Sequence, residues 1–227
     1  MRYSWLLLDA DGTLFDYNLA ESQALRQTFQ YAGLECRSDC IDAYREINHQ
    51  LWLQFEQGLI DAERLKVLRF ERLLEALQVS WDAAAFSERY LDYLALGSQL
   101  VAGAHDLVHT LKEKAELALI TNGLARVQHS RLAKSTIANC FRHVIISDEV
   151  GFSKPDARIF DIAFEMMGNP IKENVLMVGD SLTSDMKGGV EYGIDTCWYN
   201  PGQESNPSGV AVRYEIQVLE QLFMIVA

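Results

Sequence analysis

The length of 227 residues suits one domain with a large insertion, or two small domains, and a hydrophobic content of 49% is enough for a packed core. Its formal net charge of −12 and its lack of any lysine or arginine run argue against binding to a nucleic-acid polymer or to an anionic membrane. The four cysteines form no CxxC pattern and no apolar stretch has the length of a membrane span, so we expect a cytoplasmic protein with reduced thiols and no zinc site.

The chain opens with a short apolar run, Trp5–Leu8, whose length and composition are typical of a strand buried on both faces. Two carboxylates, Asp9 and Asp11, follow it, and the alternation of side chains along a strand places them on the same side. Gly12 then lets the chain turn sharply and approach a ligand closely. Taken alone, the stretch is also compatible with an ordinary strand-to-helix turn. Held close together, however, two like charges need a cation, a shared proton or both.

The stretch from about Leu19 to Leu96 contains no proline, and its apolar residues recur at helical spacing. We predict four helices, near residues 18–32, 39–56, 61–77 and 81–95. A helical block directly after the first strand does not fit a repeating strand–helix pattern. We therefore predict two domains, a core formed by residues 1–16 and 98–227 and an inserted helical domain formed by residues 17–97.

From Val101 onwards, apolar strands alternate with helical segments. The predicted strands are Glu116–Ile120, His143–Ile146, Val175–Val178, Asp195–Tyr199 and a weak final strand, Val212–Ile216. The predicted helices are Ala104–Lys114, Leu124–Lys134, Pro155–Met167 with its proline in the first turn, Thr183–Tyr192 and Val218–Ile225. This alternation predicts an α/β fold with a parallel, doubly wound, Rossmann-like sheet.

Polar residues stand at or just beyond the ends of four of the predicted strands. They are Asp9 and Asp11, Thr121 and Asn122, Ser153-Lys154-Pro155, and Asp180 with Asp185. Each group by itself is compatible with a turn, a helix cap or a solvated side chain. Because ligands of open parallel sheets bind outside the carboxyl ends of the strands, we expect these groups to form one site.

The chemistry of this set points to phosphate. Carboxylate oxygens without neighbouring histidine or cysteine favour a hard divalent ion, and Mg²⁺ before Zn²⁺. A metal ion, a lysine and a threonine hydroxyl suit a phosphoryl group, whose charge is spread over several oxygens. One carboxylate can attack phosphorus and form an acyl phosphate. The second can protonate the leaving oxygen and afterwards deprotonate water.

In these residues the sequence resembles the phosphatase branch of the haloacid dehalogenase superfamily over essentially its whole length. The matching motifs are Asp9-Ala10-Asp11-Gly12-Thr13-Leu14 (motif I), Ile120-Thr121-Asn122-Gly123 (motif II), Ser153-Lys154-Pro155 (motif III) and Gly179-Asp180 through Asp185 (motif IV). The resemblance implies a Rossmann-like core, a helical cap inserted after motif I, and Mg²⁺ as the cofactor.

The resemblance also implies roles for the motif residues. Asp9 is expected to be the nucleophile and a metal ligand. Asp11 is expected to be the general acid and base, with its backbone carbonyl on the metal. Thr121 and Lys154 are expected to bind the phosphoryl group.

The fourth motif is expected to complete the metal site, with Asp180 as a ligand and Asp185 orienting the metal's waters or the lysine. Four further motif residues are expected to lie against the substrate: Gly12, Thr13, Asn122 and Gly123. Dehalogenation is disfavoured, because superfamily members with that activity generally lack a carboxylate at the position of Asp11 and need no Mg²⁺.

Within the phosphatases, the run from Asn48 to Gly58 and the later Arg69 resemble the YjjG-type bacterial pyrimidine 5′-nucleotidases. This resemblance implies a nucleoside monophosphate as substrate. Trp52 and Phe55 can stack on a base, Asn48 can hydrogen-bond its edge, and Arg69 can anchor the substrate. Because Trp52 and Phe55 are three residues apart on a helix, packing inside the helical domain is a strong alternative explanation for both rings.

The motifs are compatible with other functions. A phosphatase for phosphoglycolate or a sugar phosphate would use the same motifs, and so would a phosphomutase that transfers the phosphate to a sugar hydroxyl. A signalling receiver domain also combines Mg²⁺, aspartate, threonine and lysine on a doubly wound sheet, but it is much shorter and has no inserted helical block. We expect a monomer or a weak homodimer that acts on a small phosphate monoester.

Overall fold

The structure is a computed structural model that describes residues 2–227, apart from the side chain of Ser38. Its strands are β1 (Trp5–Leu8), β2 (Glu116–Thr121), β3 (His143–Ile146), β4 (Val175–Gly179), β5 (Asp195–Tyr199) and β6 (Tyr214–Ile216). Its α-helices are α1 (Tyr17–Tyr31), α2 (Ser38–Glu56), α3 (Ala62–Ala76), α4 (Ala83–Leu94), α5 (Ala104–Leu111), α6 (Ala125–Lys134), α7 (Ser147–Val150), α8 (Ala157–Met166), α9 (Lys187–Tyr192) and α10 (Leu222–Val226). Within the described residues, no helix is both long and apolar enough to cross a membrane.

The strands form one parallel sheet in the order β3-β2-β1-β4-β5-β6. The order reverses at β1, because the chain continues to β2 on one side of β1 and later returns to β4 on its other side. This arrangement confirms the predicted α/β fold with a doubly wound parallel sheet. Ligands of such sheets bind beyond the carboxyl ends of the strands at the point of reversal, which here lies between β1 and β4.

The central strand β1 is buried on both faces. Its alternating side chains send Leu6 and Leu8 to one face of the sheet, where they pack with residues of α5 and α10. Trp5 and Leu7 face the other way and pack with residues of α8. Each of these side chains contributes about 1.5–3 kcal/mol through its burial, which explains why β1 is apolar at every position.

The chain divides into two compact units, Met1–Asp16 with Ser98–Ala227, and Tyr17–Gly97. The second unit consists of α1–α4 and has an aromatic core. The ring of Phe70 lies 5.4 Å from Tyr44, 5.3 Å from Phe86 and 5.0 Å from Tyr90, between ring centroids. Such aromatic pairs add specific geometry to the burial of apolar area.

In the first unit, the two segments that flank Tyr17–Gly97 in the sequence lie side by side. Phe15 forms an antiparallel bridge with Leu100. The backbone N–H of Asp16 donates to the carbonyl of Gln99 at 2.9 Å, so the pairing continues to the boundary of the unit.

Several local predictions differ from the structure. The helix predicted from Pro155 begins at Ala157, because the side chain of Asp156 caps it by accepting from the backbone N–H of Arg158. The helix predicted at Thr183–Tyr192 begins as a π-helical turn, Leu182–Met186. The short helix α7 was not predicted, and the last predicted helix is divided into a 3₁₀ turn and α10.

The cap of α4 provides a test of local stability. The Asp82 carboxylate accepts from the backbone N–H groups of Ala84 and Ala85. We expect Asp82→Ala to lower the free energy of unfolding by about 1 kcal/mol, because it leaves both donors without this acceptor. Urea unfolding followed by far-UV circular dichroism measures the loss. The matched variant Asp82→Asn keeps a side-chain oxygen and should lose much less, and equal losses in both variants would contradict the capping role.

Candidate active site

Lys154 lies at the centre of the polar groups beyond the carboxyl ends of β1, β2 and β4. Its ammonium is buried, with 1% of the side chain exposed, and it donates to Asp9 Oδ1 at 2.6 Å and to the Ile120 carbonyl at 2.7 Å. It also forms an ion pair with Asp185 Oδ1 at 2.7 Å. Burial alone would lower the pKa of Lys154, but the charges of Asp185 and Asp9 raise it above its ordinary value. The lysine therefore stays protonated.

Three carboxylates converge beside this ammonium. Asp9, Asp180 and Asp185 each offer an oxygen, and these three oxygens lie within 4.8 Å of one another. Burial raises the pKa of Asp9 to about 7, with Lys154 opposing the rise and Asp185 adding to it. Asp180 is an exposed residue, but its carboxylate lies beside the other two carboxylates and is partly removed from water. This desolvation and the charges of Asp9 and Asp185 hold the pKa of Asp180 well above its ordinary value.

The turn after β1 brings two of these carboxylates together. Gly12 has a φ of +85°, and a Cβ atom at this position would lie 2.2 Å from Asp180 Oδ2, so only glycine fits. The hydroxyl of the next residue, Thr13, donates to Asp9 Oδ2 at 3.2 Å and lies 3.5 Å from Asp180 Oδ1. The predicted motif residues at this turn thus shape the carboxylate cluster.

The end of β2 fixes the lysine and presents a hydroxyl. The Asn122 side chain donates to the Lys154 carbonyl and accepts from the Lys154 backbone N–H, both at 2.8 Å, and so holds the lysine's loop against β2. The Thr121 Oγ1 atom accepts from the Gly123 N–H at 3.0 Å and from Gln128 Nε2 at 3.2 Å. Neither bond uses the Thr121 hydroxyl proton, which is left to donate.

The Asp11 carboxylate does not join the cluster around Lys154. It accepts from Gln128 Nε2 at 2.5 Å and forms a hydrogen-bonded ion pair with Arg131. The two aspartates were expected to need a cation, a shared proton or both, and each has a cation beside it. Asp9 pairs with Lys154 and Asp11 with Arg131, so each carboxylate has its own basic partner. The predicted contact of the Asp11 carbonyl with a metal stays a prediction.

Three residues that hold the site were not predicted from the sequence. Gln128 and Arg131 lie three residues apart on α6 and are both buried. Their sequence signal is a pair of polar residues on the inner face of the helix that follows motif II, where apolar residues are usual. The third is Trp198 on β5, whose indole N–H donates to the Asp180 carbonyl at 2.9 Å.

The residues predicted to contact a base lie within α2 and α3 of the helical unit. Asn48 and Arg69 are buried, and Arg69 Nη1 donates to Asn48 Oδ1 at 3.4 Å. The Arg69 guanidinium also lies 5.1 Å from the ring centroid of Tyr90. Trp52 is half-buried and packs edge-on against Phe55, with ring centroids 5.5 Å apart. Contact of Asn48, Trp52 and Arg69 with a substrate stays a prediction.

Comparison with known proteins identifies the family. The sequence profile of the haloacid dehalogenase-like hydrolases matches residues 3–193, a range that includes all four motifs. The chain belongs to the haloacid dehalogenase-like hydrolase family. The resemblance inferred from the motifs is therefore confirmed, and the protein is an enzyme of the hydrolase class.

Relatives of this hydrolase align over almost its whole length. Pyrimidine 5′-nucleotidase YjjG of Escherichia coli is 32% identical over 222 residues, which cover 98% of this chain and 97% of YjjG. Pyrimidine 5′-nucleotidase PynA of Streptococcus pneumoniae is 37% identical over 223 residues, which cover 98% of this chain and 94% of PynA. Among solved structures, the HAD-hydrolase YfnB of Bacillus subtilis bound to magnesium has a TM-score of 0.96 at 36% identity, covering 100% of this chain and 99% of that one.

The donor set of the hydrolase fits a hard divalent cation. Three carboxylates lie beside the Lys154 ammonium, and burial, together with the charges of the neighbouring carboxylates, raises the pKa values of Asp9 and Asp180. Oxygen donors without histidine or cysteine suit Mg²⁺. Asp9, Asp180 and Asp185 each offer an oxygen that could hold it, and Asp185 also forms an ion pair with Lys154.

Binding of Mg²⁺ can be measured without activity. At a concentration about ten times its dissociation constant, Mg²⁺ should stabilise the fold by roughly 1.4 kcal/mol, seen as a rise in the thermal unfolding midpoint. Asp180→Asn should weaken Mg²⁺ binding by at least about tenfold, because it removes a charged ligand. Without Mg²⁺ this variant should be no less stable than the wild type, since it relieves repulsion with Asp9.

The matched control is Asp106→Asn, which removes a carboxylate from the exposed face of α5 and should leave the Mg²⁺ response unchanged. Equal Mg²⁺ affinity in the wild type and Asp180→Asn would show that the cluster is not the metal site.

Proposed function

We propose that this hydrolase is a Mg²⁺-dependent phosphatase that removes phosphate from nucleoside monophosphates, with pyrimidine nucleotides preferred. The observation that carries the reaction type is the buried Lys154 ammonium bonded to Asp9 beside the carboxylate cluster. The preference for nucleotides is supported by two relatives, at 32% and 37% identity, that are named pyrimidine 5′-nucleotidases.

In the first step of this mechanism, an Asp9 carboxylate oxygen attacks phosphorus and the bond from phosphorus to the leaving oxygen breaks. The phosphoryl group is then covalently attached to Asp9. Lys154, which already contacts Asp9 Oδ1 at 2.6 Å, places positive charge beside the transferred group. The Thr121 hydroxyl donates its unused proton to a phosphoryl oxygen. Mg²⁺, when bound, would supply further positive charge that offsets the negative charge of the phosphoryl oxygens and of Asp9.

Asp11 moves the protons. In its protonated form it gives its proton to the leaving oxygen, so the nucleoside departs as a neutral alcohol. In the second step the Asp11 carboxylate takes a proton from water as the water oxygen attacks phosphorus. The bond from phosphorus to Asp9 breaks, inorganic phosphate leaves, and Asp9 returns to its free carboxylate.

The deciding experiment compares substrates under identical Mg²⁺ concentrations. Phosphate release is measured from dUMP, dTMP and UMP, from purine monophosphates, and from phosphoglycolate and sugar phosphates. We expect kcat/KM to be at least about tenfold higher for the pyrimidine nucleotides than for the sugar phosphates, a difference of roughly 1.4 kcal/mol in transition-state binding. A preference for phosphoglycolate or a sugar phosphate would keep the mechanism and overturn the nucleotidase assignment.

The covalent step is tested by Asp9→Asn, which removes the nucleophile while keeping a side chain of the same size that still accepts from Lys154. We expect kcat to fall by at least about 10³-fold. Circular dichroism should show an unchanged fold, and Asp106→Asn serves again as the control with full activity. Substantial turnover by Asp9→Asn would rule out an intermediate on Asp9.

A further inference from the structure

We propose that Gln128 and Arg131 are positioning residues that hold the Asp11 carboxylate where it exchanges protons with the leaving group and water. The inference rests on the proposed phosphatase function and extends it to two residues of α6. Both side chains contact Asp11, and neither belongs to the four sequence motifs.

The Gln128 amide links Asp11, the proposed general acid, to Thr121, which is proposed to bind the phosphoryl group. Its Nε2 atom donates to Asp11 Oδ2 at 2.5 Å and to Thr121 Oγ1 at 3.2 Å. Amide nitrogen carries two protons, so one group can make both bonds at once. The amide therefore fixes the position of the Asp11 carboxylate relative to the Thr121 hydroxyl, the group assigned to a phosphoryl oxygen.

Arg131 binds the other oxygen of the Asp11 carboxylate. Its Nη1 atom donates to Asp11 Oδ1. The arginine side chain is completely buried, whereas 26% of the Asp11 side chain is exposed. The guanidinium also lies 4.8 Å from the ring centroid of Phe15 in the turn after β1, a contact that favours this position. A buried donor thus holds a carboxylate that is still partly exposed.

The glycine of motif II is explained by the same arrangement. A Cβ atom at Gly123 would lie 2.0 Å from Gln128 Nε2, which is far inside any contact distance. The space beside this glycine is filled by the glutamine amide. Any larger residue here would push Gln128 away from Asp11 and Thr121. Gly123 is therefore needed for the Gln128 amide to reach Asp11.

A positioning role for the general acid has a signature that depends on the leaving group. Protonation of the leaving oxygen matters most for a poor leaving group such as an alkoxide, and least for p-nitrophenolate, which leaves as an anion. The ratio kcat/KM reports the steps through transfer to Asp9 and is unaffected by the later hydrolysis of the intermediate. A structural role acting through Thr121 would lower kcat/KM for both kinds of ester alike, because they share the phosphoryl group.

The experiment measures kcat/KM of the wild type and variants with an alkyl phosphate ester, dUMP, and with p-nitrophenyl phosphate, both with Mg²⁺. Gln128→Met keeps the length of the side chain and removes the donor. We expect it to lower kcat/KM for dUMP by about tenfold or more and for p-nitrophenyl phosphate by less than about threefold, since general acid catalysis contributes roughly 10²–10⁴-fold in all. Gly123→Ala should give the same pattern through displacement of Gln128.

Arg131 requires a gentler change, because loss of its charge would leave Asp11 without its partner and could unfold the protein. Arg131→Lys keeps the charge and loses the fixed guanidinium geometry, so it should show the same selective loss to a smaller extent. The matched control is Lys134→Met, which also introduces a methionine, but on the exposed side of α6. It should leave kcat/KM for dUMP and for p-nitrophenyl phosphate within about twofold of the wild type.

The outcomes separate this inference from the proposed function. A wild-type enzyme that releases phosphate from neither ester would overturn both. An active wild type with equal losses on the two esters in Gln128→Met would overturn the positioning role alone. Faster hydrolysis of dUMP by Gln128→Met would also overturn the positioning role. Gln128 and Arg131 would then be holding Asp11 away from its productive position.

Discussion

The structure of the site depends on one buried ammonium. Lys154 reaches three segments that are distant in sequence, since it contacts Asp9 after β1, the carbonyl of Ile120 on β2, and Asp185 after β4. Removing an ammonium from water is costly, and here two carboxylates and a carbonyl compensate for that cost. The carboxylates depend on the lysine in turn, because their mutual repulsion would otherwise drive them apart or protonate them. The charge balance therefore fixes the ends of three neighbouring strands relative to one another.

The fold was predictable because its signals are local. A run such as Trp5–Leu8, apolar at every position, is characteristic of a strand covered on both faces, and its alternation with helices defines a parallel sheet. Once the sheet is parallel, topology alone brings Asp9, Thr121 and Asp180 to one edge. Boundaries were less predictable. The helix after motif III begins two residues later than its proline suggested, because the Asp156 carboxylate accepts from the backbone N–H of Arg158 and caps the helix there.

The partners of Asp11 were not predictable in the same way. Charge repulsion correctly indicated that Asp9 and Asp11 need compensation, but the sequence alone did not show that each would receive a separate cation. Arg131 is ten residues beyond Thr121, and its contact with Asp11 depends on how α6 packs over the turn that contains Phe15. Packing of this kind is a tertiary property with no short sequence pattern. The interior of the helical unit is similar, since Asn48 and Arg69 carry polar groups whose mutual contact only the structure reveals.

The pairing of Phe15 with Leu100 has a consequence for how the enzyme can be rebuilt. The two points at which the chain leaves and re-enters the first unit are held together by that unit's own backbone bonds, including the one from Asp16 to Gln99. A short linker would therefore suffice to rejoin them, and a foreign segment of almost any length with neighbouring ends could be inserted at the same place at a modest entropic cost. The scaffold is suited to exchange of its insert, so chimaeras that combine this sheet with helical segments from other family members can be joined at this point.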